Sequence, residues 1–482
     1  MIALQSKTIC INGRWQSAVN QQTIDVFAPS NGLKIDSIAR GNAQDIDSAV
    51  KAARAAFDNV WSRTPAVERG RLLLKLSNRI TACADELTRL EAMDTGKALK
   101  LARNDIVATA RYFEFYGGAA DKLHGDTIPF LDGYQVIVNR VPRGVVGHII
   151  PWNYPAQMFG RTIAACLAAG NTTVFKPAED ACLSVIRMTE LAHEVGIPAG
   201  VINLVTGLGH EAGAALASHH DLDYISFTGS PEVGTQIQKM AADHHTPCVL
   251  ELGGKSPQIV FEDADFDKAI PVIVSAIIQN TGQTCSAGSR VLVQRSIYDR
   301  FVAALADRFR AVRIGAHDAD IDCGPLISSK QRERVEGFLE RAQADKVAVI
   351  AEGSIDANAD PGGYFVKPVL LGPVDHNHEL AQHEVFGPVL VAIPFDDEAH
   401  AIAIANGTPF GLIAGVWTEN GARQLRVAKQ IRVGQVYING YGAGGGIELP
   451  FGGFKRSGYG RAKGFEALHE YTVTQTIVTN HG

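Results

Sequence analysis

No stretch of the chain stays apolar for long enough to cross a bilayer. The best run, residues 269–278, is about half of the ~18–20 residues required. The opening MIALQSKTICINGRW has no apolar core of secretory-leader length. The seven cysteines (Cys10, Cys83, Cys166, Cys182, Cys248, Cys285 and Cys323) are odd in number, widely spread and without a C-x-x-C pair. That pattern argues against a disulfide framework or a zinc site and for a reducing cytoplasm. Excess charge is missing too. Lys+Arg 45 against Asp+Glu 51 leaves −6, too mild to imply a nucleic acid or an anionic membrane as partner. There is no repeat of 20–50-residue period and no low-complexity tract. Apolar residues at 46% and charged ones at 20% exclude a disordered or fibrous chain. At roughly 100–200 residues per domain, 482 residues allow two to four domains. What the chain does have is glycine, 48 of 482 residues against a usual ~7%. That much glycine implies many places where backbone turns tightly or comes close to a ligand.

From about residue 144 the pattern alternates regularly. Short β-branched or aromatic runs predict strands at 144–150, 172–175, 201–206, 224–227 and 248–252. Between them, amphipathic spacing predicts helices at 154–169, 181–194, 210–218 and 231–242. This is the signature of a parallel α/β sheet, and five such strands fit a nucleotide-binding layer. A second unit follows, with strands in 256–261 and 290–294 and helices at 266–280 and 297–312, and similar patterning runs to about 440. The region 45–118 reads as mostly helical. Asp132-Gly133 marks a hairpin turn ahead of YQVIVNRV. The last twenty residues read as an exposed strand, and an edge this apolar favours an oligomer that covers it.

Several loops could carry chemistry. Gly207-Leu208-Gly209-His210-Glu211-Ala212 fits a loose dinucleotide pattern, or simply a tight turn, because no acid follows about 20 positions on. Phe227-Thr228-Gly229-Ser230-Pro231 opens a helix directly after a strand, leaving free N–H groups for a phosphate. Glu179 offers an acid for ribose hydroxyls after the strand that ends Phe175-Lys176. Cys285 differs from the other cysteines because small, polar and flexible residues surround it in NTGQTCSAG. It is a buried thiol or a nucleophile, and a nucleophile needs help from its site to ionise. Glu251, at the end of an apolar strand, is an ion-paired or capping acid, or a desolvated general base of raised pKa. Asn153, where a strand meets a helix, is a cap or an oxyanion donor.

Taken in order, PWNYP (151–155), FKPAED (175–180), FTGSPEVG (227–234), LELGGK (250–255), GQTCSAGSR (282–290), EVFGPV (384–389) and PFGGFKRSGYGR (450–461) resemble the ordered signature of the NAD(P)-dependent aldehyde dehydrogenase superfamily. The likeness runs from about residue 10 to the C-terminus, and LELGGK with GQTC is its most specific part. It implies an α/β fold with a Rossmann-type cofactor domain, an α/β catalytic domain and a small β oligomerisation arm. The implied divisions are 1–119 with 142–252 for NAD, 253–440 for catalysis, 120–141 with 463–482 for oligomerisation, and 441–462 as a return segment near the substrate entrance. It further implies a homodimer or homotetramer.

By resemblance, Cys285 attacks the aldehyde carbon, Asn153 and the Cys285 N–H hold the oxyanion, and Glu251 activates the water that hydrolyses a thioester. Lys176 and Glu179 match adenosine-ribose positions, Gly209 and Gly213 lie near the adenosine, and Gly229, Ser230 and Val233 lie by the diphosphate. Glu384 and Phe386 match positions at the nicotinamide ribose, and Ile149, Pro151, Trp152, Phe227 and Leu252 complete the set. Glu179 favours NAD, since a carboxylate accepts a 2′-hydroxyl and repels a 2′-phosphate. Relatives that transfer the acyl group to CoA commonly lack the Glu251 carboxylate. Where the family commonly has G-R-E, this chain has Gly460-Arg461-Ala462, and its loop 440–446 is unusually glycine-rich.

Arg161, two turns after Asn153, matches an arginine that meets the substrate carboxylate in succinate-semialdehyde dehydrogenases, so a substrate with an acidic or polar end is one expectation. An ordinary ion pair is the other. Tyr154, Phe159, Phe451 and the glycine loop would instead admit an aromatic or heteroaromatic aldehyde. The histidines His219-His220, His244-His245 and His376, His378, His383 match no metal-ligand spacing, and no metal is expected.

Overall fold

The computed structural model describes residues 8–442 and 446–482. Part of the glycine-rich loop 440–446 therefore lies outside the described residues.

Five parallel strands form the centre of the first sheet, in the order Ile202–Leu204, Thr172–Lys176, Val145–Ile149, Tyr224–Thr228, Cys248–Glu251. All five occur where sequence alternation placed them, three of them shorter than expected and two, Thr172–Lys176 and Tyr224–Thr228, one residue longer. Their order reverses between Val145–Ile149 and Tyr224–Thr228, so the chain leaves these two strands in opposite directions and opens a crevice at their C-terminal ends. Two N-terminal strands, Ile9–Ile11 and Arg14–Gln16, extend one edge, and Gly458–Tyr459 closes the other against Cys248–Glu251.

The helices follow from their spacing. In Ala43–Asn59, residues Ile46, Ala49, Val50, Ala53 and Ala56 form one buried stripe, and a capping box between Asn42 and Asp45 fixes its start. Pro155–Ala168 is different. It is buried almost all round, between the sheet and the long helix Leu99–Ala119, and its small residues permit the close approach. The expected helix at 210–218 is instead a wide π-turn, Gly209–Gly213, running into the short helix Ala214–Ala217. Strands Thr23–Phe27 and Lys34–Ala39 pair in a region where sequence predicted helices only from residue 45.

A second sheet runs Val349–Glu352, Val369–Leu371, Val389–Phe395, Arg290–Gln294, Pro257–Val260, Ile413–Trp417, Gln435–Ile438. Only its first strand is antiparallel. Apart from both sheets, Thr472–Asn480 pairs antiparallel with all nine residues of Tyr134–Pro142, and Asp126–Thr127 adds a third strand. Val473, Ile477 and Val478 on this arm are exposed. Among the described residues no helix is long and apolar enough to cross a membrane.

Gly458 joins the C-terminal segment to the first sheet with a φ of +105°, and a Cβ there would overlap the Leu250 carbonyl oxygen. Gly458→Ala should therefore destabilise by on the order of 2 kcal/mol or more, seen as a thermal midpoint several degrees lower in calorimetry.

Candidate active site

The crevice at the strand-order reversal is where the sequence-predicted residues collect. After Val145–Ile149 the chain turns through Pro151, Trp152 and Asn153 into helix Pro155–Ala168, which carries proline at its first position. After Tyr224–Thr228 comes Gly229, then Ser230, whose Oγ caps helix Pro231–Ala242 by accepting from the Val233 N–H at 3.3 Å. Pro151, Trp152, Asn153, Gly229, Ser230, Glu251, Glu384, Phe386 and Cys285 line one cavity of about 380 Å³. Lys97, Asp105, Tyr112, Tyr154, Arg161, Phe451, Lys463 and, again, Cys285 line a second of about 280 Å³. The half-buried thiol stands where the two cavities meet.

Local geometry presents that thiol. Helix Phe266–Ile278 stops short of the predicted residue 280 because Asn280 and Thr281 take left-handed φ values of 47° and 56°. The chain then rises through Gln283 and Thr284 to Cys285. Gly254, from the LELGGK motif, packs so closely beneath that a Cβ there would overlap the Cys285 carbonyl oxygen. Burial pushes the Cys285 thiol up to about 11, with the nearby Arg161 guanidinium pulling the other way. The resting group is a thiol and needs a proton acceptor.

Glu251 ends its strand with neither carboxylate oxygen hydrogen-bonded. Among the described residues its one ion-pair contact is Arg161 Nη2 at 3.4 Å, and both side chains are about 5% exposed. Burial raises the Glu251 pKa to about 7, Arg161 opposing, so the carboxyl can hold or release a proton near neutrality. Asn153 donates from Nδ2 to the Gln283 carbonyl at 3.0 Å. An amide nitrogen carries two hydrogens, and the second is free for another acceptor.

The cofactor-side positions divide. Glu179 accepts from Lys176 Nζ at 2.8 Å and from the Gly209 N–H at 3.1 Å, leaving a partly exposed carboxylate at the sheet's C-terminal edge. Gly213 ends the adjoining π-turn beside the Lys176 side chain. Val233 is exposed on the first turn of its helix. Glu384 accepts from the Gly254 N–H at 2.9 Å, and burial raises its pKa to about 7. Phe386, at a φ of 63°, sets its ring edge-on to Trp152 at 5.4 Å. Ile149, Phe227 and Leu252 pack instead in the core under the crevice, so their side chains support its floor. This arrangement fits a dinucleotide: a helix N-terminus for phosphate, an acid for ribose hydroxyls and aromatic walls converge on one crevice.

One substrate candidate is corrected. Phe159 is fully buried against Phe113 at 5.8 Å and Phe175 at 5.6 Å and lines neither cavity. Helical phase turns it to the sheet, a face opposite to that of Arg161 and Tyr154. The Arg161 ion pair with Glu251 is the ordinary alternative that sequence left open, although the guanidinium also lines the thiol cavity and lies 4.7 Å over Phe451.

Sequence reasoning missed Lys97 and Lys463. Lys97 Nζ is buried, bonds Asp105, donates to the Asn153 carbonyl at 3.0 Å and lies 4.0 Å over the Tyr154 ring. A lone lysine between two helices reads as solvated; only the Asp94-Thr95-Gly96-Lys97 turn could have marked it. Among the described residues no group of three or more His, Cys, Asp or Glu side chains is placed to share a metal ion.

The family model described as "Aldehyde dehydrogenase family" matches residues 15–477. An aldehyde dehydrogenase of Emericella nidulans is 41% identical over 469 residues, covering 97% of this chain and 94% of its own length. A solved Burkholderia cenocepacia protein, provisionally described as an aldehyde dehydrogenase, is 58% identical at TM-score 0.98, covering 98% of this chain and all of that one. Betaine aldehyde dehydrogenase of Staphylococcus aureus, solved in complex with NAD+, is 37% identical at TM-score 0.96 and covers 100% of this chain and 97% of that one.

A carboxyl whose pKa is raised by folding binds a proton that the unfolded chain releases. Its stabilising contribution is present below the ordinary value of 4.5 and lost as pH rises to about 7. Glu251→Gln removes this loss. The variant should match the wild type at low pH and exceed it by about 3 kcal/mol above pH ~7, measured as paired denaturation curves across pH.

Proposed function

The chain belongs to the aldehyde dehydrogenase family and is an NAD-dependent aldehyde dehydrogenase, and from that premise we propose that it oxidises its aldehyde to the carboxylic acid through a covalent Cys285 thioester. The observation that carries this reading is the position of the thiol, shared by two cavities with the unsolvated Glu251 carboxylate on one of them.

The residues divide the work as follows. Cys285 Sγ adds to the aldehyde carbon as its proton passes to solvent water. The Asn153 Nδ2–H and the Cys285 backbone N–H hold the resulting alkoxide oxygen, a site whose donors are fixed in advance. NAD, which Trp152, Gly229, Ser230, Glu384 and Phe386 would hold in the larger cavity, would supply the hydride acceptor. The oxidised carbon remains on Cys285 as a thioester. Glu251 then takes a proton from water as the oxygen attacks the acyl carbon, and Cys285 leaves as the acid is released. Lys97 holds the Asn153 carbonyl and so fixes the amide's direction.

On the cofactor side, Glu179 receives the adenosine ribose and its charge disfavours a 2′-phosphate, while Lys176 and Gly209 hold that carboxylate in place. Ser230 and the N–H groups behind it face the diphosphate, and Glu384 with Phe386 borders the nicotinamide end. Residues 1–119 with 142–252 make the cofactor domain and 253–440 the catalytic domain. The segment 441–462 returns between them to contribute Gly458–Tyr459 to the first sheet. The arm of 120–141 with 463–482 joins subunits, since its exposed Val473, Ile477 and Val478 want covering.

Three measurements test these assignments. Cys285→Ala should abolish aldehyde-dependent NADH formation. Glu251→Gln should release about one NADH per site in a rapid burst and then turn over ~10²–10⁴-fold more slowly; equal loss of burst and steady state would assign Glu251 to another step. Ile477→Asp should shift the sedimentation mass toward the monomer, and an unchanged assembly would remove the arm from the interface.

A further inference from the structure

Three cations line the thiol cavity: Lys97, Arg161 and Lys463. Two have acids. Lys97 bonds Asp105 and lies 3.9 Å from Glu91, and Arg161 lies 3.4 Å from Glu251. Lys463 has none. Its side chain is buried, with the residue 4% exposed, yet among the described residues its ammonium makes no hydrogen bond or ion pair. What it touches is the Phe451 ring, 5.2 Å away, the same ring that carries the Arg161 guanidinium at 4.7 Å.

The backbone fixes that direction. Phe451 and Ala462 exchange N–H···O bonds at 2.6 and 2.7 Å, and the Gly464 N–H donates to the Ile447 carbonyl at 2.8 Å. Between these anchors Lys463 takes φ 64° and ψ 171°, a conformation that side chains other than glycine rarely adopt. Helix Gly464–Glu470 begins immediately after it. The chain thus holds a long cationic side chain inward at a position where folding favours glycine. An unpaired charge in a buried site is costly unless something of opposite sign arrives. Arg161 Nη2 also lacks a hydrogen bond, so a second donor stands beside the first.

We propose that Lys463, with Arg161 beside it across Phe451, forms an anion subsite in the thiol cavity, and that the substrate is a short aldehyde bearing a carboxylate at its far end. This rests on the reading of Cys285 as the nucleophile. The cavity's volume of about 280 Å³ suits a short-chain semialdehyde. The carboxylate would accept from the Lys463 ammonium and the free Arg161 N–H, placing the carbonyl at the Cys285 end. Arg161 alone would not require an acidic substrate, because Glu251 already balances it. Lys463 is the cavity cation with no acid in ion-pair contact among the described residues, with Glu251 attracting it only from farther off.

The test compares kcat/KM with NAD for succinate semialdehyde and for its methyl ester, which differ in charge but little in length. Wild type should favour the carboxylate by ~100-fold or more, with Lys463→Met cutting that ratio by ~10–100-fold, chiefly through KM. Lys463→Arg should hold the ratio near the wild-type value, and Lys463→Glu should reverse it. Each ratio is internal to one protein, so partial loss of folded enzyme cancels. On the wild type, succinate should inhibit competitively against the aldehyde. Equal use of acid and ester, no inhibition by succinate, or a ratio indifferent to Lys463→Met overturns the subsite and leaves aldehyde oxidation standing. Failure of either compound, and of a panel of neutral aldehydes, to reduce NAD overturns both.

Discussion

The buried contact between Glu251 and Arg161 is the constraint on which the rest of the site depends. Among the described residues neither carboxylate oxygen has a hydrogen bond, and the guanidinium 3.4 Å away is its one close ionic contact, with Arg461 and Lys463 attracting it from farther off. Desolvation outweighs the attraction, and together they leave the carboxyl with a pKa of about 7. A shorter, fully bonded pair would hold Glu251 ionised and inert. Without the arginine, burial would keep it protonated. The same guanidinium opposes the rise in the Cys285 pKa, so one cation tunes both groups that the proposed chemistry needs.

Holding such a pair dry takes the whole scaffold. Glu251 comes from the last parallel strand of the first sheet and Arg161 from a helix buried on nearly every side. Cys285 comes from the loop that feeds the second sheet, and Phe451 and Lys463 from the returning C-terminal segment. Four stretches of chain distant in sequence meet there. Their close approach explains where glycine was needed: Gly254 lets the Glu251 strand pass under Cys285, and Gly458 lets the return segment pair against that strand's other edge.

Much of this was legible in the sequence, and for identifiable reasons. The five central strands announced themselves because each is short, β-branched and flanked by amphipathic helices, a local pattern that needs no tertiary information. Cys285 stood out by contrast with cysteines in apolar company, and Glu251 by ending an apolar run. What was misjudged lay where neighbours override pattern. The π-turn Gly209–Gly213 wraps the Lys176 side chain instead of continuing a regular helix. Phe159 reads in the sequence, with Tyr154 and Phe451, as an aromatic that would admit an aromatic aldehyde, but helical phase sends it to the core. Lys97 and Lys463 carry no motif; their isolation from water is a property of packing, and nothing in the adjacent residues reports it.

The sequence by itself determined the α/β class, the order of the glycine-bearing loops and the candidates for the reactive groups, because side-chain chemistry and local periodicity are properties of short segments. Only the tertiary structure decided which charges are paired, which are left over and which cavity each one faces. Lys463 is the sharpest instance. As a letter between Ala462 and Gly464 it reads as a solvated surface lysine. In the fold it is an ammonium shut inside the cavity of the thiol, and among the described residues no acid pairs with it directly. Electrostatic balance is summed over neighbours in space, and the chain encodes those neighbours hundreds of residues apart.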